Sequence, residues 1–388
     1  MPIPLNYNLR NLFVRRTTTV MTMSGIALTV AVFLAALALV NGLRATLEST
    51  GSPLNLLVLR KGSTTELNSA IREDVYRDML FNAGIAHLSN SESPAASLEL
   101  VTVVNLPRPG SLGGESTALR GVLPVGIELR NLRLQDGRWF QPGQREIVVG
   151  ASVALRCADA RVGKRLRIGN SEWQVVGIMD GGHSAVNSEI FADLNQVSTD
   201  FNRREQYSSV LVRAASASTI SALANSFDND PRLNVKTQSE QDYYARQTAS
   251  GTPMLQLGLL VAFIMAIGSS FAAMNTMYAT IARRAREIGT LRVLGFSQAS
   301  IMLSFLAESA ILAGFGGLIG CLLVLPLNAV TTSVGNFTTM SQTGFTFHVG
   351  LRVALTGIGF SLAMGLVGGF FPARSAAKKE ILRALRGA

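Results

Sequence analysis

The order of apolar and charged residues along the chain separates four long apolar stretches from one long mixed segment. Residues 17–43, 247–282 and 353–373 contain no Asp, Glu, Lys or Arg, and residues 301–330 contain only Glu308. About 20 consecutive apolar residues are enough to span a bilayer as a helix. The pattern therefore predicts four transmembrane helices, at residues 20–43, 254–282, 301–330 and 353–371.

The mixed segment, residues 44–250, predicts an α+β domain. Short runs of β-branched and apolar residues alternate with loops rich in Gly, Pro and Ser, and the turn at 169–171 joins two of these runs as a hairpin. We expect the β-rich centre, residues 116–189, to be inserted into an outer layer formed by both flanks. The expected strands are 54–60, 98–106, 118–123, 146–149, 165–168, 172–178, 208–213 and 233–237, and the expected helices are 66–81 and 217–227.

The remaining segments are short and connect or flank the predicted spans. In residues 1–19, Leu5, Leu9 and Leu12 recur at helical spacing, which predicts an amphipathic helix in the cytoplasmic interface; a frayed basic terminus is the alternative. The fold class is thus a membrane protein with four transmembrane helices and an α+β extracytoplasmic domain between the first and second. The other connecting segments are 283–300 on the cytoplasmic side, a periplasmic loop at 331–350 and a basic tail at 372–388.

The charge of the chain follows this topology. The formal net charge is +10, and the segment 44–250 is close to neutral. The excess of basic residues lies on three short segments that four spans would place on one side, and the positive-inside rule makes that side the cytoplasm. Both termini should therefore be cytoplasmic, and nucleic acid is not needed to explain the charge. The basic residues are Arg10, Arg15, Arg16, Arg283, Arg284, Arg286, Arg292, Arg374, Lys378, Lys379, Arg383 and Arg386.

The inventory of reactive side chains argues against an enzyme. The three histidines are scattered, no cluster has metal-ligand spacing, and the run 180–184 is typical of a Gly-rich turn rather than a hydrolase site. Gly163-Lys164 continues to Arg165 instead of Ser or Thr, so the chain has no P-loop. Cys157 and Cys321 fall in different compartments and cannot pair; an intermolecular bridge through Cys157 stays open. We predict no catalytic, cofactor-binding or metal-binding residue, and any ATP and Mg²⁺ would lie on a partner chain.

Small residues four positions apart in the predicted spans suggest close helix packing, since they let backbones approach in lipid. The pairs are Gly268 with Ala272, Gly316 with Gly320, and Gly365 with Gly369.

Glu308 is the only acidic residue in a predicted span, and intramembrane carboxylates are candidates for function. A structural bond to a neighbouring helix and a role in gating both remain open for it.

Residues 283–300 combine a burst of charge with a small apolar ridge. Ile288, Leu291 and Leu294 recur at helical spacing, and Gly295 should end the helix before the third span. Such a helix suits docking in a groove of a partner protein; a merely basic cytoplasmic loop is the alternative.

The same residues carry a family resemblance. The motif formed by Arg286, Glu287, Ile288, Gly289, Leu291, Arg292, Leu294 and Gly295, followed by Glu308, resembles the C-terminal signature of FtsX/MacB-type ABC transporter permeases. Residues 9–12 and 24–27 are similar to the start of that family, and 372–377 and 384–386 to its end. Residues 146–150, 162–164 and 175–178 are similar to the MacB-type periplasmic domain.

The resemblance implies a permease subunit in the inner membrane that pairs with a second permease subunit, as a homodimer or heterodimer. The motif would dock on a dimeric ABC ATPase, which is expected on a separate chain. Membrane lipid surrounds the spans, and the resemblance leaves open a periplasmic adaptor and an outer-membrane duct.

The expected function is export or extraction of a substrate whose identity stays open. Two alternatives are a subunit that activates a periplasmic partner such as a cell-wall hydrolase, and an anchored binding module without energy input.

Overall fold

A computed structural model describes residues 16–88, 92–107, 114–157, 159–182, 184–247, 252–336 and 339–378. The helices are α1 (Arg16–Glu48), α2 (Glu73–Met79), α3 (Pro124–Leu129), α4 (Ala151–Arg156), α5 (Leu194–Asp200), α6 (Ile220–Asn229), α7 (Glu240–Gln247), α8 (Thr252–Arg283), α9 (Ala285–Val293), α10 (Gln298–Val324) and α11 (Leu351–Lys378). The strands are β1 (Asn55–Arg60), β2 (Ala96–Pro107), β3 (Gly114–Val122), β4 (Arg133–Gly137), β5 (Glu146–Gly150), β6 (Arg165–Ile168), β7 (Ser171–Asp180), β8 (Glu189–Asp193), β9 (Ser209–Arg213), β10 (Val235–Ser239), β11 (Thr331–Asn336) and β12 (Ser341–Thr346).

These elements divide into two compact units. The helical unit holds the described residues up to Asn41, those from Thr252 to Val330, and those from Phe347 onwards. The sheet unit holds the described residues of Gly42–Gly251 together with Thr331–Thr346. The chain therefore passes from one unit to the other at four places.

Four helices of the described chain, α1, α8, α10 and α11, are long and apolar enough to cross a membrane. This confirms the four predicted spans, although their ends differ. Helix α1 continues beyond the predicted end of its span to Glu48, and an Arg44–Glu48 ion pair of 2.7 Å lies on this last part. Helix α10 ends at Val324 and a 3₁₀ turn, Leu325–Ala329, follows it, because a proline near the start of that turn cannot supply the N–H that continues the helix.

Small residues bring the spans together, as expected for two of the three predicted pairs. A Cβ added at Gly320 would lie 2.8 Å from the carbonyl oxygen of Ala27 on α1, and one at Gly365 would lie 2.3 Å from the Cβ of Ala313 on α10. Gly316 and Gly369 are equally close to neighbouring helices. A Cβ added at Gly268 would meet no atom of another described helix within 4 Å, so its pair with Ala272 does not mark a close helix contact within this chain.

The sheet unit is built on one ten-stranded sheet. The strand order is β10-β1-β9-β2-β3-β8-β5-β7-β4, with β6 paired to β7. The pairs β3–β8 and β5–β7 are parallel and the other pairs are antiparallel. The predicted central part therefore extends the same sheet rather than forming a separate inserted layer, and the hairpin through residues 169–171 is confirmed.

The predicted helix at 66–81 is wrong over its first half. The chain forms a 3₁₀ turn at Glu66–Asn68 and becomes α-helical only in α2. Between them, the N–H of Ile71 donates to the carbonyl oxygen of Tyr207 (2.7 Å) and pairs as an isolated bridge. Ile71 fits the helical spacing of its apolar neighbours, but its backbone is hydrogen-bonded to Tyr207, which is distant in sequence, and not within a helix.

Two strands expected within a periplasmic loop, Thr331–Asn336 and Ser341–Thr346, pair as β11 and β12 in the sheet unit. The N–H of Gly344 donates to Ser188 Oγ (2.7 Å), and Asn336 Nδ2 donates to Gln247 Oε1 at the end of α7 (3.0 Å). The connection between the third and fourth spans is therefore a fixed part of the sheet unit. The amphipathic helix predicted from Leu5, Leu9 and Leu12, and the end of the basic tail, lie outside the described residues.

Candidate functional site

The candidate site is the segment between the second and third spans. Helix α8 ends at Arg283, and α9 begins at Ala285, so the two helices meet at a single residue, Arg284. The N–H of Arg284 still donates to the carbonyl oxygen of Thr280 (3.1 Å), and its own carbonyl accepts from Ile288 N (3.0 Å). Arg284 therefore links two helices without a loop.

The side chain of Arg284 turns inward and is held by two carboxylates. Its Nη1 donates to Glu308 Oε2 on α10 (3.2 Å), and its Nε donates to Glu287 Oε2 on α9 (3.0 Å). The guanidinium carbon also lies 5.4 Å from the ring centroid of Phe305, a cation–π distance. Arg284 and Glu308 are buried, whereas Glu287 is 57% exposed. The intramembrane carboxylate singled out in the sequence is therefore paired with the residue that joins α8 to α9.

An apolar cluster fixes the inner face of α9 to three other helices. Ile288 is buried among side chains that come from α8, α10 and α11. Neighbouring Gly289 is also buried. The buried members of the cluster are Met277, Ile281, Ile288, Ile301, Phe305, Ala373 and Ala376.

The C-terminus of α9 is closed by the glycine that the sequence predicted. Gly295 has φ +90°, its N–H donates to the carbonyl oxygen of Arg292 (3.2 Å), and the N–H of Phe296 donates to that of Leu291 (3.1 Å). These two backbone hydrogen bonds, together with a residue in the left-handed conformation, form the Schellman motif. Ser297 then caps α10 by accepting from the N–H of Ser300 (3.2 Å). The segment is thus a defined helix with a defined end.

The predicted motif divides between two faces. Arg286, Glu287, Leu294 and Gly295 are exposed, and so is Val293, which the sequence reading did not single out. Ile288 and Gly289 lie on the inner face, while Leu291 and Arg292 are half-buried. The apolar ridge expected to dock is therefore reduced to the end of α9, because Ile288 packs against the protein's own spans.

Arg284 is the member of the site that the sequence reading missed. In the sequence, the predicted topology alone explains its charge, as it explains that of the neighbouring arginines. The spacing in the sequence is the available signal: Glu308 lies about three turns into α10 from Gln298, in the first half of that helix, where the residue that follows α8 can reach it. Among the described residues, no group of three or more His, Cys, Asp or Glu side chains could hold a metal ion.

Two family models match the chain. The model described as MacB-like periplasmic core domain matches residues 19–229, more than half of the chain. The model described as FtsX-like permease C-terminal matches residues 259–381, which include α9.

Curated relatives agree with these models. The chain is 25% identical to the macrolide export ATP-binding/permease protein MacB of Bdellovibrio bacteriovorus, over 98% of this chain and 61% of that protein. It is 25% identical to the uncharacterized ABC transporter permease MJ1507 of Methanocaldococcus jannaschii, over 66% of this chain and 65% of that protein. It is 23% identical to the uncharacterized ABC transporter permease YknZ of Bacillus subtilis, over 69% of each. The chain thus spans less than two thirds of the first two relatives.

Two solved structures each match about half of the chain. The extracellular domain of the noncanonic ABC-type transporter YknZ from Gram-positive bacteria matches with 17% identity and a TM-score of 0.37, covering 48% of this chain and 100% of that domain. The periplasmic region of MacB from Actinobacillus actinomycetemcomitans matches with 11% identity and a TM-score of 0.38, covering 50% of this chain and 92% of that region.

Proposed function

Because the chain belongs to the family of MacB-like and FtsX-like ABC transporter permeases, we propose that it is a permease subunit in which α9 receives movement from a separate ATP-binding subunit. The observation that carries this proposal is the division of α9 into two faces. Its inner face is bonded to three spans, while its outer face leaves charged and apolar side chains exposed.

The outer face has the composition of a docking surface. Arg286, Glu287 and Thr290 are exposed along it, and Val293 and Leu294 are 62% and 69% exposed at its end. Exposed apolar side chains beside charges are typical of a protein contact, because burying them in a partner groove removes apolar area from water. We propose that these five residues contact the ATP-binding subunit.

The inner face supplies the means of transmission. A displacement of α9 relative to α10 would separate the buried pair Arg284–Glu308 and pull Ile288 out of its cluster. Breaking a buried ion pair costs about 3–5 kcal/mol, so moving the spans with α9 is favoured over sliding α9 past them. ATP binding in the partner would then bias two arrangements of the spans, as coupling requires.

ATP and Mg²⁺ would act on the partner chain, and we propose that two permease subunits assemble with two ATPase subunits in the inner membrane, with both termini cytoplasmic. Some relatives are described as ATP-binding/permease proteins, whereas MJ1507 and YknZ are described only as ABC transporter permeases. A periplasmic adaptor and an outer-membrane duct would extend the assembly.

We propose export or extraction from the extracytoplasmic side rather than through a channel between the spans. Polar side chains between the described spans bond from helix to helix: Thr29 Oγ1 lies 2.6 Å from Ser269 Oγ, and Ser309 Oγ donates to the carbonyl oxygen of Gly365 (2.6 Å). These groups hold helices together and are not available to line a polar path. Activation of a periplasmic hydrolase is the rival function.

The test is charge reversal on the outer face. The chain is purified with the ATP-binding protein that accompanies it, and permease-dependent ATP hydrolysis is measured for Arg286→Glu combined with Leu294→Asp. We expect loss of co-purification and a fall in stimulated hydrolysis of roughly tenfold or more, within the range for coupled sites. Arg374→Glu, which reverses one charge at an exposed position of α11, is the control and should behave as wild type. Equal behaviour of both variants would refute the docking surface, and a hydrolase found on the sheet unit would favour the rival function.

A further inference from the structure

A buried network of charged side chains runs through the sheet unit. At its centre the guanidinium of Arg120 contacts three carboxylates: Nη1 donates to Glu66 Oε1 (2.6 Å) and Glu99 Oε2 (2.7 Å), and Nε donates to Glu189 Oε2 (2.7 Å). The side chains of Arg120, Glu66 and Glu99 are at most 5% exposed. The network therefore joins β2, β3, β8 and the 3₁₀ turn before α2 away from water.

A second arginine extends this network to α7. Arg130 Nη2 donates to Glu99 Oε2 (2.7 Å), and its Nη1 donates to Glu240 Oε1 (2.6 Å). Burial alone would raise the pKa of Glu66, but Arg120 and then Arg130 hold it below its ordinary value of 4.5. We call these six residues the ion network: Glu66, Glu99, Arg120, Arg130, Glu189 and Glu240.

Glu240 is the member that meets the chain where it enters and leaves the sheet unit. Its Oε2 accepts from the N–H of Ser52 (3.0 Å) and from Asn55 Nδ2 (2.8 Å). Ser52 follows α1, the first span, and Glu240 is the first residue of α7, which precedes the second span. One carboxylate that is 1% exposed thus bonds the segment after span one, the segment before span two and, through Arg130, the sheet.

We propose that Glu240 is a positioning residue that clamps these two segments to each other and to the sheet, so that the ends of the first and second spans act on the sheet unit as one body. This inference rests on the proposed function. Stability alone does not explain such a network, because apolar side chains of similar volume often replace buried ion pairs without loss of stability. Charge-assisted bonds fix direction and register, which is what transmission of a movement requires and what an apolar contact that can slide does not supply.

The clamp can be tested by a distance inside the sheet unit. Spin labels are placed at Ala45 on α1 and Asp242 on α7, both exposed and both in this unit. The two buried cysteines, Cys157 and Cys321, are replaced by Ala. The distribution of label distances is recorded for the full chain in nanodiscs with its ATP-binding partner, with ADP and with trapped ATP, and without the partner.

The wild type should give one narrow distribution in all three conditions. Glu240→Ala should broaden the distance distribution even without the partner. Glu240→Gln keeps the shape of the side chain but not its charge. It should lower permease-dependent stimulation of ATP hydrolysis by roughly fivefold or more, the lower range of coupling between linked sites. Asp200→Asn is the matched control, since Asp200 is 6% exposed and pairs with Arg145 (2.8 Å) away from both entry segments. This control should leave the distribution and the stimulation unchanged.

Two results would overturn the clamp. A distance distribution in Glu240→Ala as narrow as that of the wild type would show that the two segments stay together without the carboxylate. A loss of stimulation in Asp200→Asn equal to that in Glu240→Gln would show that any damage to the sheet unit has the same effect. If instead no ATP-binding partner stimulates or binds the wild type, the proposed function fails, while the distribution without partner still decides the clamp.

Discussion

Arg284 is bonded to two carboxylates, one buried and one exposed, so removing each in turn tests how much burial determines the strength of an ion pair. Glu308 and Glu287 lie at nearly equal distances from the same guanidinium, 3.2 Å and 3.0 Å, but their side chains are 7% and 57% exposed. Coulomb's law gives about 5 kcal/mol for the first pair at an effective dielectric constant of about 20, and about 1.4 kcal/mol for the second in water. Desolvation and side-chain entropy reduce both values.

Removing one partner of a buried pair costs about 3–5 kcal/mol, because the other charge stays in a medium that solvates it poorly. Removing an exposed partner costs about 0–1 kcal/mol. We therefore expect Glu308→Ala to lower the free energy of unfolding by about 3 kcal/mol, the lower end because Glu287 stays beside Arg284, and Glu287→Ala to lower it by less than about 1 kcal/mol.

The assay is reversible unfolding of the purified protein in micelles, followed by the helical circular dichroism signal. The double variant Glu308→Ala with Arg284→Met should recover much of the loss, because it removes the charge left behind. Equal destabilisation by Glu308→Ala and Glu287→Ala, or no recovery in the double variant, would refute burial as the reason for the difference.

Three further predictions concern packing, helix termination and pH. Gly365→Ala should destabilise the helical unit by about 1–3 kcal/mol through its clash with Ala313. Gly359→Ala on the same helix, with nothing within 4 Å of its added Cβ, should be neutral or stabilising by up to about 1 kcal/mol in the same unfolding assay, because Ala loses less backbone entropy in a helix than Gly. Gly295→Ala should cost about 1 kcal/mol because Gly295 has φ +90°, and thermal unfolding in micelles should detect it although no atom clashes. Because the pKa of Glu66 is lowered in the folded state, its contribution to the free energy of unfolding is present at neutral pH and is lost as the pH falls through the folded-state pKa. Glu66→Gln should therefore reduce the difference in stability between pH 7 and pH 4. Urea unfolding at the two pH values measures this, with the fluorescence of the two tryptophans, both in the sheet unit, as the signal.

The sequence predicted the spans because the signal for them is local. A run of about 20 apolar residues needs no partner to be recognised, and Gly295 ends α9 for a reason contained in its own backbone freedom. Most strands of the sheet unit could be predicted in the same way from short β-branched runs. These features depend on neighbours in the chain.

The ion network and the Arg284–Glu308 pair could not be predicted in this way, because their partners are distant in sequence. Arg120 reaches carboxylates that are 54, 21 and 69 positions away, and nothing in its local sequence distinguishes it from an exposed arginine. Ile71 illustrates a false local signal. Its spacing predicted a helix, but in the fold it pairs with Tyr207 as a β-bridge. The sequence could place α9 but could not tell that Ile288 faces inward.

The exposed face of α9 is proposed to contact an ATP-binding subunit. The most direct measurement places a photo-crosslinking residue at Thr290 on this face and, as a control, at Ser375, an exposed position of α11. Position 290 should give a crosslinked product with a protein that carries a P-loop, and this product should be reduced when the outer face carries Arg286→Glu. Position 375 should give none. Absence of that product from position 290, or equal products from both positions, would contradict the claim.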